Sequence, residues 1–147
     1  MFPEAAELDF LAASPLPGLT TEIAYLALAC LLLAVHIICQ AVLLTRDLGS
    51  QYNAGPRDEV RHPGLIGGRA ERALRNFLET FAAFAALALA VTVTGKADWW
   101  SGFGAALYFW ARVVYLPLYL GGIPYFRSLV WTLGSAGIAI ILWRLVW

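Results

Sequence analysis

Four apolar stretches, joined by polar connections, set the pattern of this chain. Residues 23–44 carry no charge, and residues 77–93, 99–120 and 129–147 carry one each: Glu79, Arg112 and Arg144. Crossing a hydrocarbon core takes roughly 20 apolar residues in a helix. The pattern therefore predicts an all-α membrane protein, a bundle of four transmembrane helices over about 21–45, 70–94, 99–120 and 125–147, forming a single domain over 1–147.

Local signals sharpen the ends of these elements. Thr20 or Thr21 can cap the first span, behind the helix-breaking Pro15, Pro17 and Gly18. Residues 46–68 read as a solvent-facing loop, because Gly49, Gly55-Pro56, Pro63-Gly64 and Gly67-Gly68 leave little room for a long helix. The second helix then starts near Arg69. In the third, Pro117 cannot donate to the Val113 carbonyl, so a kink is expected about a turn from the end. Gly121-Gly122 stops that helix and Pro124 suits the first turn of the next, which gives a tight hairpin.

Composition agrees: 61% of the 147 residues are hydrophobic, against about 45–50% in a soluble domain. Mean hydropathy is +0.70. Net charge is zero, with no basic excess for nucleic acid, and the sequence has no phosphate-binding Gly-rich loop, internal repeat or heptad run.

The charges are unevenly placed. Glu4, Glu7, Asp9 and Glu22 precede the first span without a base, so the leading segment does not read as a cleavable signal and is expected to be retained. Arg46, Arg57, Arg61 and Arg69 lie in the first loop and Arg127 heads the fourth span. The positive-inside rule then puts the first and third loops in the cytoplasm and both termini outside; Lys96 and Arg144 weaken the contrast slightly. Trp99, Trp100, Trp143 and Trp147 fall at the opposite ends, as interfacial anchors should.

Two polar rows interrupt the apolar pattern. Arg72, Arg75, Asn76 and Glu79, at i, i+3, i+4 and i+7, form one stripe where the alanine-rich second helix begins. Arg112, Tyr115 and Tyr119 share a face of the third helix. Arg46 closes the first helix, while Arg127 and Ser128 open the fourth. All lie toward one membrane face, where they can converge on a polar chamber. A charge at the bilayer centre costs about 2.5–3.5 kcal/mol on insertion scales, so each needs a partner. Arg75 could pair with Glu79, or Arg112 with Glu79 across helices, and a single such pair would be structural. Bases outnumber acids here, which points instead to a small bound polyanion bearing an amino group.

Other polar residues read more plainly. His36 and Gln40, at i and i+4, are expected to make an interhelical hydrogen bond, and no metal site is expected. Cys30 and Cys39 stand about 13 Å apart along one helix, at 1.5 Å per residue, and read as buried structural thiols. His62 reads as a solvated loop residue. The alanines of the second helix, and Gly134, Ser135, Ala136 and Gly137 in the fourth, mark faces for close helix contact.

The run from Gly68 to Thr80, with its Arg72, Arg75-Asn76 and Glu79 spacing, resembles the signature of the MAPEG family, the membrane-associated proteins in eicosanoid and glutathione metabolism. Arg112 with Tyr115 and Tyr119, then Arg127-Ser128, resemble the family's third and fourth helices. The stretch from Tyr119 to Ser128 is most similar to bacterial members, which implies an inner-membrane protein. The resemblance implies a homotrimer that binds glutathione between subunits and admits a lipophilic small-molecule substrate from the membrane lipids. Arg72, Arg75 and Arg112 would hold carboxylates or order the site, with Arg46 a further candidate. Asn76 and Glu79 would take the γ-glutamyl end, Tyr115 and Tyr119 would line the peptide, and Arg127, with Ser128 beside it, would face the thiol. The implied activity is a glutathione-dependent transferase or peroxidase acting on lipophilic electrophiles or lipid hydroperoxides. The alternative is a non-catalytic lipid-binding scaffold of the same fold; a small exporter fits less well, since the charges cluster at one face. Three features depart from the family pattern: Asp47 follows Arg46 where a second base is common, Trp131 follows the Arg-Ser pair, and the linker from Tyr119 to Arg127 is slightly short.

Overall fold

The computed structural model describes residues 13–147, so the acidic positions Glu4, Glu7 and Asp9 lie outside the described residues. Among the described residues five helices follow in order: α1 (Thr21–Leu48), α2 (Ser50–Ala54), α3 (Leu65–Val93), α4 (Trp99–Gly121) and α5 (Pro124–Val146). Four of them, α1, α3, α4 and α5, are long and apolar enough to cross a membrane. At 1.5 Å per residue they run about 34–43 Å, more than the ~30 Å of a hydrocarbon core. The chain is a multi-pass membrane protein.

Helix α4 is the centre of the bundle and packs against α1, α3 and α5. Its small residues Gly104, Ala105 and Ala106 are buried, as are Tyr108 and Phe109. Tyr108 stacks on Phe84 of α3 with ring centroids 4.1 Å apart, and Tyr25 of α1 meets Phe109 at 5.6 Å. Lipid tails are as apolar as these side chains, so close packing rather than hydrophobic transfer holds such helices together. The α4–α5 contact is the tightest. A Cβ on Gly137 would lie 2.5 Å from the Gly104 carbonyl oxygen and 2.9 Å from the Tyr108 amide nitrogen. Of the fourth span's small residues, Gly134 and Gly137 are thus used inside the protomer, against α4, whereas Ala136 is exposed.

Both ends of the bundle are tied by polar groups. At the tryptophan end, Asp98 caps α4: its carboxylate accepts from the Ser101 amide (3.1 Å), and its own amide donates to Ser101 Oγ (2.8 Å). Ser101 Oγ donates in turn to the buried Glu22 of α1. Arg144 of α5 sits 2.7 Å from the Asp98 carboxylate in an ion pair without hydrogen-bond alignment. At the other end, Asp47 Oδ2 accepts from the Gly64 amide at 2.8 Å. A carboxylate there meets the positive end of α3, and buried Gly67 leaves room for it: a Cβ would lie 2.5 Å from Asp47 Oδ2.

This clamp explains two differences from the sequence reading. Helix α3 begins at Leu65, ahead of Arg69, because Asp47 supplies its N-terminal acceptor from 17 residues away. The acid after Arg46 therefore has a structural task. The first loop also holds the short α2, and it folds over Tyr52, whose hydroxyl donates to the Glu59 carbonyl (3.0 Å) and accepts from the Arg61 amide (3.1 Å). Thr20 occupies the N-cap of α1 but makes no side-chain cap bond. His36 is buried, yet it makes no interhelical hydrogen bond: Nδ1 bonds the Leu32 carbonyl of its own helix at 2.9 Å, Nε2 has no partner, and the ring stacks on Phe77 at 4.8 Å. His62 is exposed.

The glycine contact yields a direct test. Gly137→Val should lower stability by roughly 1–3 kcal/mol, because two backbones must part to admit the side chain. Thermal unfolding in detergent should show a reduced midpoint for this variant and a parent-like midpoint for Ala139→Val on the exposed face. Equal midpoints for Gly137→Val and parent would contradict the close approach.

Candidate functional site

The polar row of α3 divides between two environments. Asn76 is half-buried and turns inward, whereas Arg72, Arg75 and Glu79 are exposed on the protomer surface. Their helical stripe continues into exposed Ala82, Ala83 and Ala86. Among the described residues, neither Arg75 nor Arg112 forms an ion pair with Glu79; the ion pairs are Arg61–Glu59 and Arg144–Asp98. The two pairings that would have made the row self-sufficient are absent.

Arg112 is instead buried, with 1% of its surface exposed. Its Nη1 donates to Asn76 Oδ1 at 2.9 Å, and the guanidinium lies 5.4 Å and 5.3 Å from the ring centroids of Tyr108 and Tyr115. Cation–π contact is worth about 2 kcal/mol when desolvated, so two ring faces offset much of the burial. Nε and Nη2 have no acceptor. They lie beside Gly134 of α5, where a Cβ would stand 3.8–3.9 Å from them.

This bond orients Asn76. A guanidinium can only donate, so Asn76 must present its oxygen to Arg112, and its amide NH₂ is left to donate elsewhere. Elsewhere is a cleft of about 450 Å³ lined by Asn76, Tyr115, Tyr119, Arg127, Ser128, Trp131 and Thr132. Arg112 stands behind the wall and orders it.

The far wall comes from the start of α5. Pro124 opens that helix, and Arg127 lies one turn in, its guanidinium 4.7 Å from the Tyr119 ring centroid. Tyr119 leans on Tyr115 with centroids 5.4 Å apart. Ser128 Oγ donates to the Pro124 carbonyl at 3.3 Å, and Thr132 Oγ1 donates to the Ser128 carbonyl at 3.0 Å. Both hydroxyls spend their protons on their own helix, so Arg127 is the cationic donor of the cleft.

Of the residues singled out in the sequence, Asn76, Tyr115, Tyr119, Arg127 and Ser128 share the cleft, with Arg112 directly behind. Arg46, exposed in the last turn of α1, does not line it, nor do Arg72, Arg75 and Glu79. Thr132 and Tyr108 were not singled out. Their signal is spacing: Thr132 lies at i+4 from Ser128 and Tyr108 at i−4 from Arg112.

The buried bond is testable by a double-mutant cycle. Arg112→Leu and Asn76→Leu should each destabilise, the latter by about 1–3 kcal/mol because it leaves a buried donor unmet. The double variant should be more stable than the sum of the two losses by roughly 0.5–3 kcal/mol. Strict additivity in denaturant or thermal unfolding would refute the coupling.

Comparison with known proteins gives one match. The model of the MAPEG family matches residues 23–147, nearly the whole chain. Searches of curated proteins and of solved structures found no match. The family includes glutathione transferases and peroxidases as well as non-catalytic members. Together with the four membrane-crossing helices, the match establishes that this chain belongs to the MAPEG family.

Proposed function

We propose that the protein is a homotrimeric glutathione-dependent transferase or peroxidase acting on lipophilic electrophiles or lipid hydroperoxides. It sits in a bacterial inner membrane with its first and third loops cytoplasmic and both termini outside. The observation that carries this reading is the pairing of two features: an arginine donor in a tyrosine-lined cleft, and a row of exposed charges on an adjoining helix that the protomer leaves unpaired. Exposed Arg72, Arg75 and Glu79 at membrane level call for both a ligand and a covering neighbour. A second copy of the chain, packed on the exposed alanines below the row, supplies that cover.

The residues fit glutathione by charge and by hydrogen-bond role. Arg72 and Arg75 match its two carboxylates, and Glu79 matches its ammonium group. The Asn76 NH₂, held outward by Arg112, matches an acceptor oxygen at the γ-glutamyl end. Tyr115 and Tyr119 line the peptide, and Trp131 adds an aromatic wall. Bound glutathione supplies a thiolate nucleophile toward an electrophilic carbon or a peroxide oxygen.

Arg127 favours that thiolate over the thiol, with Ser128 beside it. Bringing a thiol from about 8.5 to about 6.5 takes roughly 2.7 kcal/mol, within reach of one partly buried charge. Tyr119 under the guanidinium limits its swing and keeps it facing the cleft. This cationic donor favours an enzyme over a non-catalytic lipid-binding scaffold.

Calorimetric titration of glutathione tests the binding half. Arg75→Ala and Glu79→Ala should each weaken affinity about tenfold or more, since a hydrogen bond to a charged group is worth ~1.5–3 kcal/mol. Parent-like affinity in both folded variants would make the row structural. The chemical half rests on Arg127→Ala, which should keep most of the affinity yet lower turnover of a model electrophile. The ultraviolet absorbance of the thiolate should then titrate at higher pH than in the parent. Bound glutathione with no thiolate signal at neutral pH in the parent would support the scaffold instead.

A further inference from the structure

The α4–α5 turn decides where Arg127 stands, and its backbone leaves the Leu120 carbonyl without a local donor. Helix α4 ends in a Schellman arrangement: the Ile123 amide takes the Leu118 carbonyl and the Gly122 amide takes the Tyr119 carbonyl, both at 3.1 Å. The Leu120 carbonyl comes next. Its partner in a continuing helix would be the amide of residue 124, but that residue is Pro124 and has none. Arg69 of α3 fills the gap, with Nη1 donating to Leu120 O at 2.9 Å.

The guanidinium also lies against Gly122, which has a left-handed backbone (φ 74°). A Cβ there would stand 2.5–2.7 Å from Nη2, Cζ and Nη1 of Arg69. Its positive charge meets the negative end of α4. Two features therefore converge on one side chain: an unfilled carbonyl at the negative end of a helix and a glycine that makes room. Arg127 follows Gly122 by five residues, so any rotation at this turn carries it. Arg69 precedes Arg72 by three residues on the same helix, which links the turn to the start of the exposed charge row.

We propose that Arg69 is a positioning residue for the reaction: it locks the α4–α5 turn against α3 and so holds Arg127 facing the cleft. This rests on the reading of Arg127 as the partner of the thiolate. Arg69 does not line the cleft. Its removal acts on turnover and on thiolate formation, and leaves the binding row in place.

The test uses the full-length protein in detergent with Arg69→Met, which keeps the apolar stem, and Arg69→Lys, which restores a single donor. A misplacement of about 1 Å can lower turnover a hundredfold, so Arg69→Met should reduce kcat about tenfold to a hundredfold. The KM for glutathione should change little, and the thiolate should titrate at higher pH. Arg69→Lys should recover part of the lost turnover, and it carries the test if Arg69→Met does not fold. In an Arg127→Ala background, Arg69→Met should produce no further change. Parent-like kcat in Arg69→Met, or in Arg69→Lys where that variant stands in, overturns the proposal. So does an equal loss in the Arg127→Ala background, or a loss of affinity that matches the loss of turnover. Hydrogen exchange separates this from failure of the glutathione reading. Amides of residues 123 and 125–128 should exchange faster in the Arg69 variant while the rest of the chain is unchanged, and unchanged exchange there overturns the lock whatever the reaction. A parent protein that neither binds nor turns over glutathione overturns the reaction reading, and Arg69's assigned role with it.

Discussion

Charge within a membrane has to be answered by something, and this chain answers it in two ways. Arg112 is held from inside by one hydrogen bond to Asn76, two tyrosine faces and a glycine that leaves space at its side, with its Nε and Nη2 left without an acceptor. Arg72, Arg75 and Glu79 receive no such treatment, and they stand exposed on the outer face of α3. The first arrangement builds the protomer. The second leaves charges at the start of α3 unpaired within the protomer, and the proposed function has a ligand and a neighbouring subunit cover them.

The same economy governs the helix ends. Asp47 caps α3 from the end of α1, Arg69 caps α4 from the start of α3, and Asp98 with Ser101 caps α4 at its other end while reaching Glu22 and Arg144. At the Gly64 amide and the Leu120 carbonyl, backbone groups that water would satisfy in a soluble protein are met by charged side chains from neighbouring helices. These ties also fix the relation between α3, α4 and α5, which is the relation the cleft depends on. Glycines at 104 and 137 let α4 and α5 touch, and the short turn at Gly122 sets the register of Arg127.

Much of this was legible in the sequence because its signals are local. Uncharged runs mark the spans, Gly121-Gly122 and Pro124 mark the hairpin, and i, i+3, i+4 spacing marks the rows. What was not legible depends on distant partners. Gly67-Gly68 reads as a break, yet α3 runs through it because Asp47 arrives from another helix. His36 reads as a hydrogen-bonding bridge, but its own helix takes Nδ1 and Phe77 takes the ring face. Spacing put Arg112 and Arg46 with the other site residues; the structure sets Arg112 behind Asn76 and leaves Arg46 off the cleft. The direction of the Asn76 amide follows from a bond across two helices, and no spacing encodes that.

The central claim is that the exposed charge row of α3 is completed by a neighbouring copy and by a bound thiol peptide. Native mass spectrometry of the protein in detergent, with and without glutathione, addresses both parts in one measurement. The account predicts a trimer as the dominant species, with mass additions of up to three glutathione molecules. A monomer or dimer as the sole species, or a trimer that takes up no glutathione, would contradict it.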